Sequence, residues 1–123
     1  MQINFSALGL ALKSLEDALT PPPRNDRERD GAIQRFEYTF ELAWKTAQKV
    51  LAQNGIVSNS PKSVIRDLAQ QRWIPSAEQW LGFLKARNAT THTYRSITAD
   101  TVFESAKDFA KECKNLLVAL QSK

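Results

Sequence analysis

An all-α fold, an antiparallel up-and-down four-helix bundle with one additional short helix, is what this sequence predicts, and three observations carry it. Apolar residues recur at spacings of three and four along most of the 123 residues, as on one face of a helix. The alternation that marks a half-buried strand is almost absent. Proline, Asn-Gly and Ser-Pro signals cut the chain into four long pieces and one short one, whose apolar faces are best buried against one another. A single domain, 1–123, is the expected organisation.

The first piece holds Phe5, Leu8, Leu12, Leu15 and Leu19 in a three-four rhythm, enough for about four turns. It ends at Thr20-Pro21-Pro22-Pro23, because proline offers no amide hydrogen and its ring crowds the preceding turn. Arg24 to Asp30 mixes both charges densely and reads as a solvated, mobile loop. The second helix is the strongest: Ile33, Phe36, Phe40, Ala43, Trp44, Ala47, Val50 and Leu51 gather in a wide apolar arc, and Asn54-Gly55 stops it. Glu37 and Glu41 lie at the edge of that arc, where they could pair or bind a cation. Glu41 and Lys45 make a favourable surface pair, however, so both glutamates read as structural.

A shorter third helix opens at Ser60-Pro61, serine as cap and proline in the first turn, and carries Val64, Ile65 and Leu68. Trp73-Ile74-Pro75 turns the chain into a fourth helix, whose start, Ser76-Ala77-Glu78-Gln79, has the form of a capping box. The last helix is expected from Thr98, with its hydroxyl as cap and Asp100 at the positive end of the macrodipole. Val102, Phe103, Ala106, Phe109, Ala110, Cys113, Leu116, Leu117 and Leu120 form its inner face. Cys113 lies in the middle of that face, a small core residue rather than a nucleophile. Asp100, Glu104, Asp108 and Glu112, beside Lys107, Lys111 and Lys114, form a solvated, salt-bridged outer ridge.

Composition narrows the function classes. Hydrophobic residues at 42% and charged ones at 24% are values of a globular chain, not a disordered one. A net charge of +4 and a pI near 9.4 suit an anionic partner without proving one. One cysteine excludes an internal disulfide. The opening residues lack a secretory pattern and no stretch approaches the roughly 18 apolar residues of a membrane span, so a cytoplasmic protein with no membrane partner is expected. There is no internal repeat, no glycine-rich phosphate loop and no His/Cys metal spacing, so no metal or other cofactor is expected.

What remains is the octet Arg87-Asn88-Ala89-Thr90-Thr91-His92-Thr93-Tyr94, which joins the sole histidine to an arginine, an amide and a phenol. Between Glu78 and Asp100 the chain has Lys85, Arg87 and Arg95 but no carboxylate, a local basic field around the imidazole. At about 100° per residue, Arg87, Thr91 and Tyr94 continue the face of Trp80, Phe83 and Leu84, while Asn88 and His92 share the adjoining flank. A charged Arg87 in line with that apolar stripe must be paired, at a rim, or facing a polar cavity. Two endings stay open: a helix that runs through the octet, or one that stops near Asn88 and leaves a threonine-rich connector. Cleaving RNA without a metal needs an imidazole to move the 2′-hydroxyl proton and a guanidinium to stabilise the phosphoryl charge. One histidine cannot serve as base and acid together, so the second donor must be solvent, another side chain, or a twofold-related copy.

Arg87-x4-His92, with Tyr94 two residues on, resembles the RxxxxHxY motif of HEPN-domain proteins. Arg29-Asp30-Gly31-Ala32-Ile33-Gln34-Arg35-Phe36-Glu37-Tyr38-Thr39-Phe40-Glu41-Leu42-Ala43-Trp44-Lys45 is similar to the second helix of their bacterial HepT-like branch, also described as the substrate-binding partner of small nucleotidyltransferases. The likeness runs from the first helix to the last. It implies a homodimeric four-helix bundle encoded beside a minimal nucleotidyltransferase, the pair acting as toxin and antitoxin. The implied toxin is a metal-independent RNase with the motif at its dimer cleft, silenced when the partner transfers AMP onto the motif tyrosine. On that resemblance Arg87 and His92 are the catalytic pair, Asn88 a supporting polar residue and Tyr94 the site of AMPylation; the Thr20–Asp30 connection receives no role. Two other functions stay open: a non-catalytic subunit that presents a substrate or nucleotide to a nucleotidyltransferase, and an inert helical dimerisation module. Spacing does not choose between cleaving and binding, because both call on the same Arg and His.

Overall fold

The computed structural model describes residues 2–123 and consists of α1 (Ser6–Leu19), α2 (Asp26–Gln53), α3 (Pro61–Gln70), α4 (Ala77–Asn88), a one-turn 3₁₀ helix (Ala89–His92) and α5 (Ser96–Gln121). The all-α bundle expected from the apolar spacing is what forms, with α3 as the short extra helix. Connections of a few residues set sequence neighbours antiparallel. α1 and α5 pack against α2, and α4 closes over both α2 and α5. No helix among the described residues is long and apolar enough to cross a membrane.

Local chemistry places most of the boundaries. The Ser60 and Ser76 hydroxyls accept from the amides of Ser63 and Gln79, capping α3 and α4 as their sequences suggest. α2 ends in a Schellman turn, with Gly55 at φ 81° and its amide on the Ala52 carbonyl while Ile56 bonds back to Leu51. α3 ends in the same way, but its left-handed position is filled by Arg72 at φ 63°. Gln48 then reaches the Ser58 carbonyl, and Ser58 bonds to Asp67, which ties the α2–α3 connection across both helices.

Two boundaries differ from the sequence expectation. Arg24–Asp30 is not a mobile loop, because α2 already begins at Asp26. Asn25 caps it by accepting from the Glu28 amide at 2.9 Å. The Glu28 carboxylate in turn accepts from the Arg24 amide and guanidinium, which holds its pKa below the usual range. Arg29 is largely enclosed by Asp26, Asp30 and Asp100. The mixed charges are therefore internally matched, and the helix gains about one and a half turns. α5 begins at Ser96 rather than Thr98, with no side-chain cap at Arg95. Its first turns are held by a tertiary tie, Asp100 to Arg29 at 3.1 Å, that replaces the local cap.

The core is one continuous apolar cluster from Leu8 to Leu120. Of the residues expected inside, Phe5, Leu19, Trp44, Phe103 and Leu117 are only partly buried, and the rest of the expected faces of α1, α2 and α5 are enclosed. Phe109 is its hub, with ring centroids 5.2 Å from Phe36, 5.9 Å from Phe40, 5.6 Å from Trp80 and 5.4 Å from Phe83. These mostly edge-to-face contacts bring α2, α4 and α5 together at one point. Cys113 lies fully inside, and burial, with Glu16 adding a little, pushes its thiol up to about 12, so it is no nucleophile at neutral pH. Phe109→Ala is expected to lower stability by about 3–5 kcal/mol, read from the midpoint of chemical unfolding; a loss below about 1 kcal/mol would mean that the aromatic cluster closes over the gap.

Candidate functional site

α4 stops at Asn88, one residue after Arg87, and the threonines explain how. The last carbonyls of a helix lack intrahelical partners, and the Thr90 hydroxyl lies 2.8 Å from the Arg87 carbonyl while that of Thr93 lies 3.1 Å from the Thr90 carbonyl. Short hydroxyls that bond to carbonyls three residues back compete with α-helix continuation and favour a tight turn. The octet therefore spans a helix end, a 3₁₀ turn and the start of the next connection. Tyr94 does not lie on the continuation of the Trp80, Phe83, Leu84 face, because the α-helical phase ends six residues before it.

Arg87 satisfies the requirement that a charge beside an apolar stripe be paired, and it does so at a rim. Its Nη2 lies 2.7 Å from Oε1 of Glu41, with the two side chains 27% and 32% exposed. Its guanidinium carbon is 5.9 Å from the centroid of the Phe40 ring. The contact with Glu41 is one of charge more than of aligned hydrogen bonds, since Glu41 Oε1 and Arg87 Nε are both buried without a hydrogen-bond partner. Glu41 is held from behind: its other oxygen accepts from Trp44 Nε1 at 3.2 Å and lies 3.8 Å from Lys45 Nζ. One turn earlier on α2, the Glu37 carboxylate meets the Thr90 hydroxyl. That hydroxyl has a single proton and lies within reach of two acceptors, Glu37 and the Arg87 carbonyl.

The field around the octet is thus not free of carboxylates, as the local sequence suggests, because α2 delivers two of them from outside the run. The Glu41–Lys45 surface pair exists, but the shorter contact of Glu41 is with Arg87. Glu37, Phe40 and Glu41 are the site residues that sequence reasoning left aside. Their signal was present in two halves: an arginine that had to find a partner, and two glutamates at the edge of the apolar arc.

Asn88, His92 and Tyr94 are exposed. The His92 and Tyr94 rings meet edge to face at 6.1 Å, and the Arg95 guanidinium lies 5.7 Å from the Tyr94 centroid. What joins His92 to Arg87 is the backbone of the 3₁₀ turn, which the Thr90 hydroxyl ties to the Arg87 carbonyl. Beside the turn, Gly82, Ala86, Ala89, Ile97 and Val102 line a shallow, mostly apolar cleft of about 320 Å³. Among the described residues no group of three His, Cys, Asp or Glu side chains is placed to hold a metal ion.

Chemically, the arrangement offers a partly exposed guanidinium at the end of α4 and, past one 3₁₀ turn, an accessible imidazole and an accessible phenol in contact with each other. Comparison with known proteins narrows what such a surface serves. A family model described as nucleotidyltransferase substrate binding protein like matches residues 3–122. The probable ribonuclease HepT of Haemophilus influenzae is 28% identical over 138 aligned positions, which take in 99% of this chain and 94% of that one. A solved protein of Thermus thermophilus superposes with a TM-score of 0.87 at 36% identity, over 93% of this chain and 98% of its own. A solved Haemophilus influenzae protein, described as revealing the fold of a substrate binding domain of a nucleotidyltransferase, superposes equally well, 0.87 at 28% identity, over 96% of this chain and 99% of its own.

Proposed function

Because the chain belongs to the nucleotidyltransferase substrate-binding-like family, in its HepT-like branch, we propose that it is the ribonuclease toxin of a toxin–antitoxin pair, a cytoplasmic enzyme that cleaves RNA without a metal and is silenced by its nucleotidyltransferase partner. The observation that carries this reading is the placement of Arg87: a guanidinium fixed at an open rim, one 3₁₀ turn from an exposed His92. In the proposed reaction a neutral imidazole takes the proton of a ribose 2′-hydroxyl, and that oxygen attacks the adjacent phosphorus. The bond to the 5′-oxygen breaks, the leaving oxygen takes up a proton, and a 2′,3′-cyclic phosphate remains. Arg87 stabilises the charge that grows on the phosphoryl oxygens, and Asn88 is the supporting polar residue beside it.

The single histidine sets a limit on this scheme, and a twofold dimer removes it: one His92 accepts the proton and the partner subunit's His92 donates one. Exposed Ile97, in the lining of the apolar cleft between α4 and α5, supports an interface at this edge of the bundle. The competing reading, a non-catalytic subunit that holds a substrate or nucleotide for a nucleotidyltransferase, draws on the description of the family and of the solved Haemophilus influenzae domain. It uses the same guanidinium to bind phosphate and assigns His92 no proton transfer.

Tyr94 is the regulatory acceptor in this proposal. The residue is 75% exposed, so its phenol is reachable by a second protein. AMP transfer from ATP would form a bond from the phenolic oxygen to the α-phosphorus, release pyrophosphate and leave a phosphodiester anion beside Arg95 and His92. The anion and its adenosine would then obstruct the surface that RNA must use.

Three measurements test the reading. His92→Ala is expected to abolish RNA cleavage and growth inhibition with the fold intact, and Arg87→Lys to lower cleavage by about 10²- to 10³-fold, since lysine keeps the charge but loses the planar fork. Variants that inhibit growth like the parent remove Arg87 and His92 from catalysis, and a parent that never cuts RNA favours the substrate-holding subunit. Light scattering at micromolar concentration is expected to give twice the 13.9 kDa chain mass, and a monomer would end the shared-site scheme. Tyr94→Phe is expected to cut RNA and to escape silencing, with the AMP adduct missing from its intact mass after co-expression with the adjacent nucleotidyltransferase; neutralisation of a parent chain that carries no adduct would favour inhibition by complex formation alone.

A further inference from the structure

Glu41 differs from the carboxylates that pair only within their own helix. Carboxylates such as Asp17 and Glu104 pair with lysines three or four residues away on the same helix, where both partners are well exposed. Pairs of that kind contribute little and shape nothing. Glu41 is only 32% exposed, and its nearest cation is an arginine from another helix. Its far oxygen is held by Trp44 Nε1 and faces Lys45, so the carboxylate is a fixed object before Arg87 meets it.

We propose that Glu41 is a positioning residue of the site: it sets the guanidinium of Arg87, against the Phe40 ring, in the orientation in which its remaining donors take a phosphoryl oxygen of RNA. This rests on the ribonuclease reading above. An arginine side chain has many rotamers and five N–H donors. A guanidinium that wanders must be ordered in each catalytic cycle, whereas one already ordered spends none of the substrate's binding energy on that task. The structure contains the elements of such ordering. Phe40 and Glu41 are successive residues of one rigid helix, and one turn earlier Glu37 holds Thr90, the residue between Arg87 and His92. α2 thus holds Arg87 directly and touches the turn beyond it at Thr90.

The same geometry fixes the sign of the effect on binding. A carboxylate at 2.7 Å cancels part of the arginine's charge and so opposes the approach of a ground-state phosphate. Removing that charge should leave RNA binding equal or tighter while the chemical step slows. A general loss of structure would not split the two constants in this way.

The test is steady-state cleavage of a short mixed-sequence RNA carrying a fluorophore and quencher, by the full chain, with rates expressed per folded chain from circular dichroism. Glu41→Gln keeps the shape of the side chain and its acceptor for Trp44 but loses the charge; kcat is expected to fall at least about tenfold, with KM unchanged or lower. Glu41→Asp keeps the charge one methylene short and is expected to fall between parent and Gln, which also reads the role if the Gln variant folds poorly. A Gln variant with parental kcat, a rise in KM as the main effect, or an Asp variant no better than Gln overturns the assignment while the ribonuclease reading stands. A parent chain that does not cleave RNA ends that reading, and the role of Glu41 with it.

Discussion

The whole molecule depends on the enclosure of one ring. Phe109 of α5 is completely buried and touches Phe36 and Phe40 of α2 and Trp80 and Phe83 of α4. Aromatic rings in such contact prefer a few tilted geometries, so the three helices cannot slide past one another without breaking several contacts together. Phe40 then transmits this order outward, since it both packs on Phe109 and lies against the guanidinium of Arg87. The candidate site is therefore an extension of the core at its rim. That continuity is why a surface arginine can be partly buried and still well placed.

What the sequence reveals follows the range of the forces involved. Apolar faces and serine caps are local and periodic, and Ser60, Ser76 and Gly55 mark their boundaries correctly. The start of α2 was hidden because its capping side chains sit within a run of charges that looks like solvated loop, although Asn25 and Glu28 carry the cap. The start of α5 was hidden for a different reason: its tie, Asp100 to Arg29, joins residues 71 apart. The site shows the same division. Arg87, Asn88, His92 and Tyr94 were visible as residue types in one stretch, but their phase was not, because threonine hydroxyls end the helix at Asn88. The pairing of Arg87 with Glu41 crosses from α4 to α2, and nothing in either helix alone specifies it.

The two ways in which relatives of this chain are described, as a ribonuclease and as a substrate-binding domain, are less opposed than they sound. In both readings proposed above, the guanidinium of Arg87 at the edge of the bundle is the group that meets phosphate. The difference lies in the imidazole five residues on.

The end of α4 at Asn88 places the two halves of the motif on supports of unequal stiffness. Arg87 rests on the aromatic core and shares its cooperative unfolding, whereas residues 89–95 form a short, mostly exposed turn secured by threonine hydroxyls and one carboxylate from α2. Segments of that kind open at a small fraction of the global unfolding free energy. The turn can therefore open while the α-helices on either side of it stay folded. On the toxin reading proposed above, the protein would in this way have an idle state built into its ordinary thermal motion.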